Sequence, residues 1–183
     1  MPGALIDPAS SAPAAFRQCA PMLIAIVSDT HMPRGRRRLP GGCVERMARA
    51  DVILHAGDVM TKSTLSEFER IGLPLLAVQG NVDDEDLRTT LPVERVVEAG
   101  GAQIAMVHDA GPAQGRLARL RRRFPEADAV VFGHSHIPLH ESDGGFQIFN
   151  PGSPTERRRA PTHTMGMLQA DGGRLTFDLI HLD

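Results

Sequence analysis

Four short clusters and one isolated histidine carry side chains whose types and spacing could do chemistry. They are Asp29-Thr30-His31, Gly57-Asp58, Gly80-Asn81-Val82-Asp83, His108 and Gly133-His134-Ser135-His136. Carboxylate, carboxamide and imidazole are ligands for divalent metal ions, and Asp-x-His and His-x-His each put two of them two residues apart. On an extended backbone, side chains two apart point the same way, so each pair is expected to converge on one point. A single Asp-x-His is commonly just a polar turn capping a strand; the recurrence carries the weight. In chain order, Asp29, His31, Asp58, Asn81, His108, His134 and His136 are enough for two metal sites. A set without thiolate suits Mn²⁺, Fe²⁺, Ni²⁺ or Zn²⁺ in a catalytic role better than a structural zinc, which usually takes cysteine. Two such ions about 4 Å apart can bind a phosphoryl group, deliver a bridging hydroxide at neutral pH and stabilise the charge that develops.

The elements that must hold these clusters are legible as apolar runs. Leu23 to Val27, Val52 to Leu54, Leu75 to Val78 and Ala129 to Phe132 are short, rich in β-branched residues and unbroken, as strands buried on both faces are. Each ends directly in one of the clusters. Between the first three lie helical spacings: Val44, Met47 and Ala48, then Leu65, Phe68 and Ile71, the latter opened by a capping box at Thr64 and Glu67 and stopped by Gly72 and Pro74. Alternating strand and helix predicts a parallel sheet, whose sites gather beyond the carboxyl ends of its strands.

From Val93 the pattern changes to hairpins. Val93 to Glu98 and Gln103 to Val107 flank Gly100-Gly101 and deliver His108; Leu139 to Phe149 and Met165 to Leu182 turn at Gly144-Gly145 and Gly172-Gly173 and are expected to supply a second sheet. Leu117, Leu120 and Phe124 predict an amphipathic helix whose Arg121-Arg122-Arg123 end is favoured by the helix dipole, so this basic run reads as helix surface. Asn150-Pro151-Gly152-Ser153 is a tight turn that either supports the site or simply reverses the chain.

At 183 residues, with 42% hydrophobic and 23% charged residues, the chain fits one globular domain, assigned to residues 22–183 after a flexible Ala-, Pro- and Ser-rich extension over 1–21. That extension lacks the basic start and continuous apolar core of a signal peptide. No stretch is apolar for long enough to span a bilayer, so no membrane partner is expected. Two cysteines are too few for a disulfide framework and fit a reducing cytoplasm. A net charge of −2 gives no global pull towards nucleic acid, and with no Trp or Tyr stacking residues are scarce. Only Lys62 among the 20 basic residues is lysine. Arg34 to Arg38, directly after His31, form a basic loop that is either solvated surface or a place to steer and hold a substrate phosphate. His55, His140, His163 and His181 fall outside the clusters and read as structural or surface residues.

Taken in order, Asp29-Thr30-His31, Gly57-Asp58, Gly80-Asn81-Val82-Asp83, His108, Gly133-His134-Ser135-His136 and Asn150-Pro151-Gly152-Ser153 resemble the motifs of the calcineurin-like metallophosphoesterases. Within them, the chain is similar to the small bacterial and archaeal phosphodiesterases related to the eukaryotic retromer subunit Vps29, over about Leu23 to Leu182. The resemblance implies an α/β fold, a four-layer α/β/β/α sandwich with mixed sheets. It gives Asp29, His31 and His136 to a first metal and Asn81, His108 and His134 to a second, with Asp58 bridging them. The implied activity is phosphodiester hydrolysis on a small-molecule phosphate ester by two divalent ions, Mn²⁺ foremost, with Asn81, Asp58 and His134 acting on the reaction and Arg34 on the substrate. It leaves open a homo-oligomer, a nuclease, and a Vps29-like interaction scaffold with a vestigial metal site. Two departures stand out. Val82 occupies the place where many relatives have the histidine that can protonate the leaving group, and Asp109 follows His108 where many have glycine, either as a support for His108 or as a plain loop carboxylate.

Overall fold

The computed structural model describes residues 14–15 and 20–182; the expected extension over 1–21 otherwise lies outside the described residues. In chain order the elements are β1 (Ala14–Ala15), β2 (Met22–Val27), α1 (Gly41–Met47), β3 (Val52–His55), α2 (Lys62–Glu69), β4 (Leu75–Ala77) and α3 (Glu85–Thr90). There follow β5 (Glu94–Ala99), β6 (Ala102–Val107), α4 (Arg116–Arg123), β7 (Ala129–Val131), β8 (Leu139–Asp143), β9 (Phe146–Asn150), β10 (Thr164–Asp171) and β11 (Arg174–His181).

Two mixed sheets result, one ordered β11-β10-β2-β3-β4 and the other β1-β5-β6-β7-β9-β8. Their inner faces share one core in which Ile24, Ile26, Val52 and Leu54 meet Ile104, Met106, Val131 and Phe149. The alternate residues face outwards. Ala25, Val27 and Ile53 pack with Cys43 and Met47 of α1 and Phe68 of α2, while Ala105, Val130 and Ile148 pack with Leu120 and Phe124 at α4. The period of two thus serves both faces of each central strand, which is why these strands are apolar throughout. Helices outside, two sheets inside: the fold is the α/β/β/α sandwich.

Three details depart from the sequence reading. β7 does not join β2, β3 and β4; it lies between β6 and β9, parallel to both, whereas the β10–β11 hairpin adds to the first sheet through an antiparallel β10–β2 pairing. Local alternation reveals that a strand is parallel but not which sheet it enters, and here α4 carries the chain across from β6 to β7. Helix α2 begins earlier than its capping box suggested: Thr61 is the cap, accepting from the Thr64 N–H, and Thr64 is buried with its hydroxyl donating to the Met32 carbonyl at 2.7 Å. Helix α1 buries Cys43 and Met47, four apart, and leaves Val44 exposed. Arg121 and Arg123 do lie on the surface of α4, paired with Asp143 and Glu94. No helix among the described residues is long and apolar enough to cross a membrane.

Candidate metal centre

The carboxyl ends of β2, β3, β4, β6, β7 and β9 open on one edge of the sandwich, and each is followed at once by one of the sequence clusters. Because β2, β3 and β4 run in parallel register, with Val27 opposite His55 and His55 opposite Ala77, their loops leave side by side. The Asp29 N–H donates to the Gly57 carbonyl and the His31 N–H to the Asp58 carbonyl, tying the first two loops together.

Asp29 and His31 converge, but not through a pleat. Strand β2 ends at Val27, and Asp29 and His31 have φ of 56° and 46°; Asp58, His134 and His136 are also left-handed, at 58°, 68° and 59°. A left-handed non-glycine residue costs on the order of 1–2 kcal/mol. Five at one site are held by the surrounding bonds, an arrangement found where function requires strain. Ser153 donates to the Asp29 carbonyl and Thr155 to that of Thr30, while the Asp29 carboxylate accepts from the Ser28 hydroxyl and the His134 N–H. The Asn-Pro-Gly-Ser turn therefore supports the site, and Asn150 adds a bond to the Gly133 carbonyl. Gly133 is required by contact: a Cβ there would lie 1.9 Å from Ser28 Oγ and 2.6 Å from Asp29 Oδ2.

Asp29, His31, Asp58, His108 and His136 are buried, and Asn81 and His134 form an exposed rim. Oδ2 of Asp58 lies 3.1 Å from His31 Nε2 and 3.2 Å from His108 Nε2, between the two rings. Oδ1 of Asp29 lies 3.3 Å from His136 Nε2 and 4.0 Å from His108 Nε2. Asn81 Oδ1 stands 3.1 Å from His108 Nε2 and 2.8 Å from His134 Nδ1. The structure thus brings all seven predicted residues together, with Asp29-His31-His136 and Asp29-Asp58-His108 as compact ligand triples. Asp29 belongs to both triples, a sharing not foreseen from the sequence.

The donors fit divalent ions. Nε2 of His31 and of His136 are buried without a hydrogen-bond partner although carboxylate oxygens stand 3.1 and 3.3 Å away. These two nitrogens therefore face carboxylates without bonding to them, as ligand atoms do around a cation. The far sides of the rings are fastened: His108 Nδ1 meets the Ala56 carbonyl at 2.7 Å and His136 Nδ1 the Glu156 carbonyl at 2.6 Å, contacts that direct Nε2 inwards. Burial alone lowers the pKa of His31, but the carboxylates of Asp29 and Asp58 outweigh it and lift the group to about 9. His108 is raised likewise, against its burial, by Asp58 and Asp29. Burial works to raise Asp58, yet His108 and His31 hold it well below the usual carboxylate range. The negative potential that draws protons onto these rings is what a metal ion would meet.

Further residues brace these side chains, and Glu156 and helix α3 carried no recognisable sequence signal. Glu156 offers its carbonyl to His136 and its carboxylate to His31, with Oε2 3.3 Å from Nδ1. Asp83 accepts from the N–H groups of Gly80 and Met60 and so braces the Asn81 loop; burial raises its pKa despite those bonds. Helix α3, which the sequence reading missed, is capped by Asp84 and sends Arg88 back to the Asn81 carbonyl. Asp109 does not support His108; it accepts from the Gly111 N–H in its own turn. His55 is buried outside the ligand set, against Thr30 Oγ1 at 3.1 Å and the ring of Phe68.

A sandwich with imidazole and carboxylate donors at the carboxyl edge of both sheets defines a metallohydrolase-like class of protein. The sequence model of the calcineurin-like phosphoesterase superfamily domain matches residues 22–173. A probable metallophosphoesterase of Methanothermobacter thermautotrophicus is 32% identical over 161 residues, spanning 87% of this chain and 92% of its own. A phosphodiesterase of Methanocaldococcus jannaschii is 24% identical over 72% of this chain and 83% of its own. In fold, Vps29 from Entamoeba histolytica, solved in complex with Zn²⁺, superposes with a TM-score of 0.70 at 20% identity, covering 88% of this chain and 100% of its own. The chain belongs to the calcineurin-like phosphoesterase superfamily.

Proposed function

We propose that the protein is a phosphoesterase, acting in the first place on phosphodiesters, with two divalent ions held by Asp29, His31 and His136 on one side, Asn81, His108 and His134 on the other, and Asp58 between them. The observation that carries this reading is the position of Asp58 Oδ2, within 3.2 Å of ring nitrogens from both halves of the site. Ions bound there would supply a water nucleophile at neutral pH and neutralise charge on the phosphoryl oxygens; a set of oxygen and imidazole donors suits Mn²⁺ and also Fe²⁺, Ni²⁺ or Zn²⁺.

The chain's own groups do the positioning. Asn81 turns its Oδ1 towards His108 and His134, which leaves its amide N–H groups to donate to a substrate oxygen at the open rim. His134, exposed beside it, is placed to contact the phosphoryl group. Arg34, exposed after His31 and bonded to it only through its backbone, is placed to steer an anion inwards.

The test is hydrolysis of bis(p-nitrophenyl) phosphate by the full chain after chelation and after return of Mn²⁺. Activity lost and regained supports the reading. A fully Mn²⁺-loaded protein that cleaves neither this diester nor p-nitrophenyl phosphate overturns it, in favour of an interaction scaffold on the same fold.

A further inference from the structure

Beside the metal centre lies a second concavity that the proposed hydrolysis does not use. It occupies about 870 Å³ between the loop after His31 and the end of α2. Arg36, Arg37 and Arg38 line it from the loop and Arg70 from the other side, with Leu39 and Ile71 among its apolar lining. Glu67 is the only acidic residue among the described residues of the lining. Arg36, Arg38 and Arg70 have no ion-pair or side-chain hydrogen-bond partner among the described residues, in a chain whose net charge is −2. Four guanidinium groups around one cavity repel one another, and three of them lack an ion-pair partner among the described residues. Two arginines of α4, by contrast, are paired: Arg121 with Asp143 and Arg123 with Glu94.

The fourth guanidinium connects the cavity to the metal centre. Arg37 reaches Glu156 Oε1 at 2.8 Å, and Oε2 of the same carboxylate lies 3.3 Å from His31 Nδ1. The pocket and the candidate metal site are therefore neighbours across one imidazole and one carboxylate.

We propose that this pocket binds an organic phosphate carrying at least two negative charges on an apolar or aromatic body, a molecule of the nucleoside diphosphate class. Guanidinium forks take phosphate oxygens in pairs. The side chains of Leu39 and Ile71 provide apolar surface for the body, and the volume falls in the range of small-molecule sites. Such a ligand has two sources, the far end of the substrate itself or a separate small molecule; the first of these rests on the phosphoesterase reading above, whereas the binding site does not.

The experiment is calorimetric titration of the full chain with ADP, once loaded with Mn²⁺ and once with chelator present, so that binding is read whether or not the protein hydrolyses anything. The double variant Arg38→Ala/Arg70→Ala should bind ADP about tenfold more weakly or worse, as loss of charge-assisted bonds implies. Arg36→Glu should show a similar loss, and Arg122→Ala, which removes the same charge from α4, should bind as wild type. All four residues are exposed, so unchanged melting temperatures are expected. ADP inhibition of diester hydrolysis that Arg38→Ala/Arg70→Ala abolishes supports the site, assigning it to the substrate's far end when competitive and to a separate ligand when it persists at saturating diester; inhibition that the double variant retains counts against the pocket. Absence of ADP binding at millimolar concentration, or equal binding by wild type and the pocket variants, overturns it.

Discussion

Glu156 Oε2 stands 3.3 Å from Nδ1 of His31, behind the ring whose Nε2 meets Asp58. A carboxylate behind a metal-binding imidazole orients it and raises its basicity. Glu156→Gln should therefore weaken metal binding by about tenfold, within the range that such supporting contacts contribute. The Glu156 carbonyl that holds His136 stays in place. Competition with a fluorescent chelator measures the effect, and an unchanged affinity would show that the carboxylate serves Arg37 alone.

A bridging role for Asp58, as proposed, means that its loss should be felt on both sides of the centre. Asp58→Asn should reduce the metal content from two ions per chain to one or none, measured by mass spectrometry after Mn²⁺ addition and gel filtration. Two ions retained with full activity would remove Asp58 from the bridge.

Gly133→Ala tests how closely the β7 loop approaches Asp29. Its Cβ would enter the space of Ser28 Oγ, 1.9 Å away, and overpacking of a well-filled site costs roughly 1–3 kcal/mol. The backbone shift should also displace the His134 N–H from Asp29, so metal affinity should fall together with stability in denaturant. A fully stable, fully metal-binding variant would show that the two loops can separate.

That these seven residues cluster was readable because metal chemistry restricts residue types, and because a buried strand ends abruptly where polar residues begin. Asp29, His31, His134 and His136 were found by their spacing, yet the reason offered for their convergence was wrong: left-handed backbone at all four, not a pleat, brings them together. Asp and His enter the left-handed region more readily than most residues, but identity alone does not single out these positions. Glu156 was invisible because its role depends on the turn at Ser153, whose hydroxyl accepts from the N–H groups of Thr155 and Glu156 and folds the chain back under His31. The sheet that β7 joins is likewise a long-range choice, set by α4 and β6 rather than by the residues of β7.

His55 makes stability depend on pH in a definite direction. Burial pushes its imidazole from the usual 6.5 down to about 4, despite opposing pull from Asp29. Below pH 6.5 the unfolded chain therefore takes up a proton that the folded one refuses, and stability falls as pH drops from about 6.5 to 4, by up to about 3 kcal/mol. Above pH 6.5 the group is neutral in both states and contributes no slope. His55→Gln, which keeps a polar group beside Thr30 but cannot titrate, should flatten this part of the profile. Urea unfolding of both proteins at several pH values measures it, and parallel profiles would count against the assignment to His55.

Val82 bears most directly on mechanism. It follows Asn81 at the open rim, is half-buried, and donates its N–H to Asp58 Oδ1 at 3.0 Å. A valine cannot give a proton to a departing alkoxide. Turnover should then depend on how well the leaving group departs as an anion, so aryl phosphodiesters should react far faster than alkyl ones. Val82→His keeps the backbone bond to Asp58 and sets an imidazole beside Asn81. Asp83 cannot readily orient that ring, since its two oxygens already accept from Gly80 and Met60. Well-positioned general acids contribute on the order of 10²- to 10⁴-fold, and an unsupported one should recover only the lower end of that range. The gain should be confined to poor leaving groups, with metal content unchanged. Measuring kcat/KM of both proteins on a nitrophenyl and an alkyl ester of the same phosphate decides the matter: equal changes on the two substrates would place the proton donor elsewhere in the site.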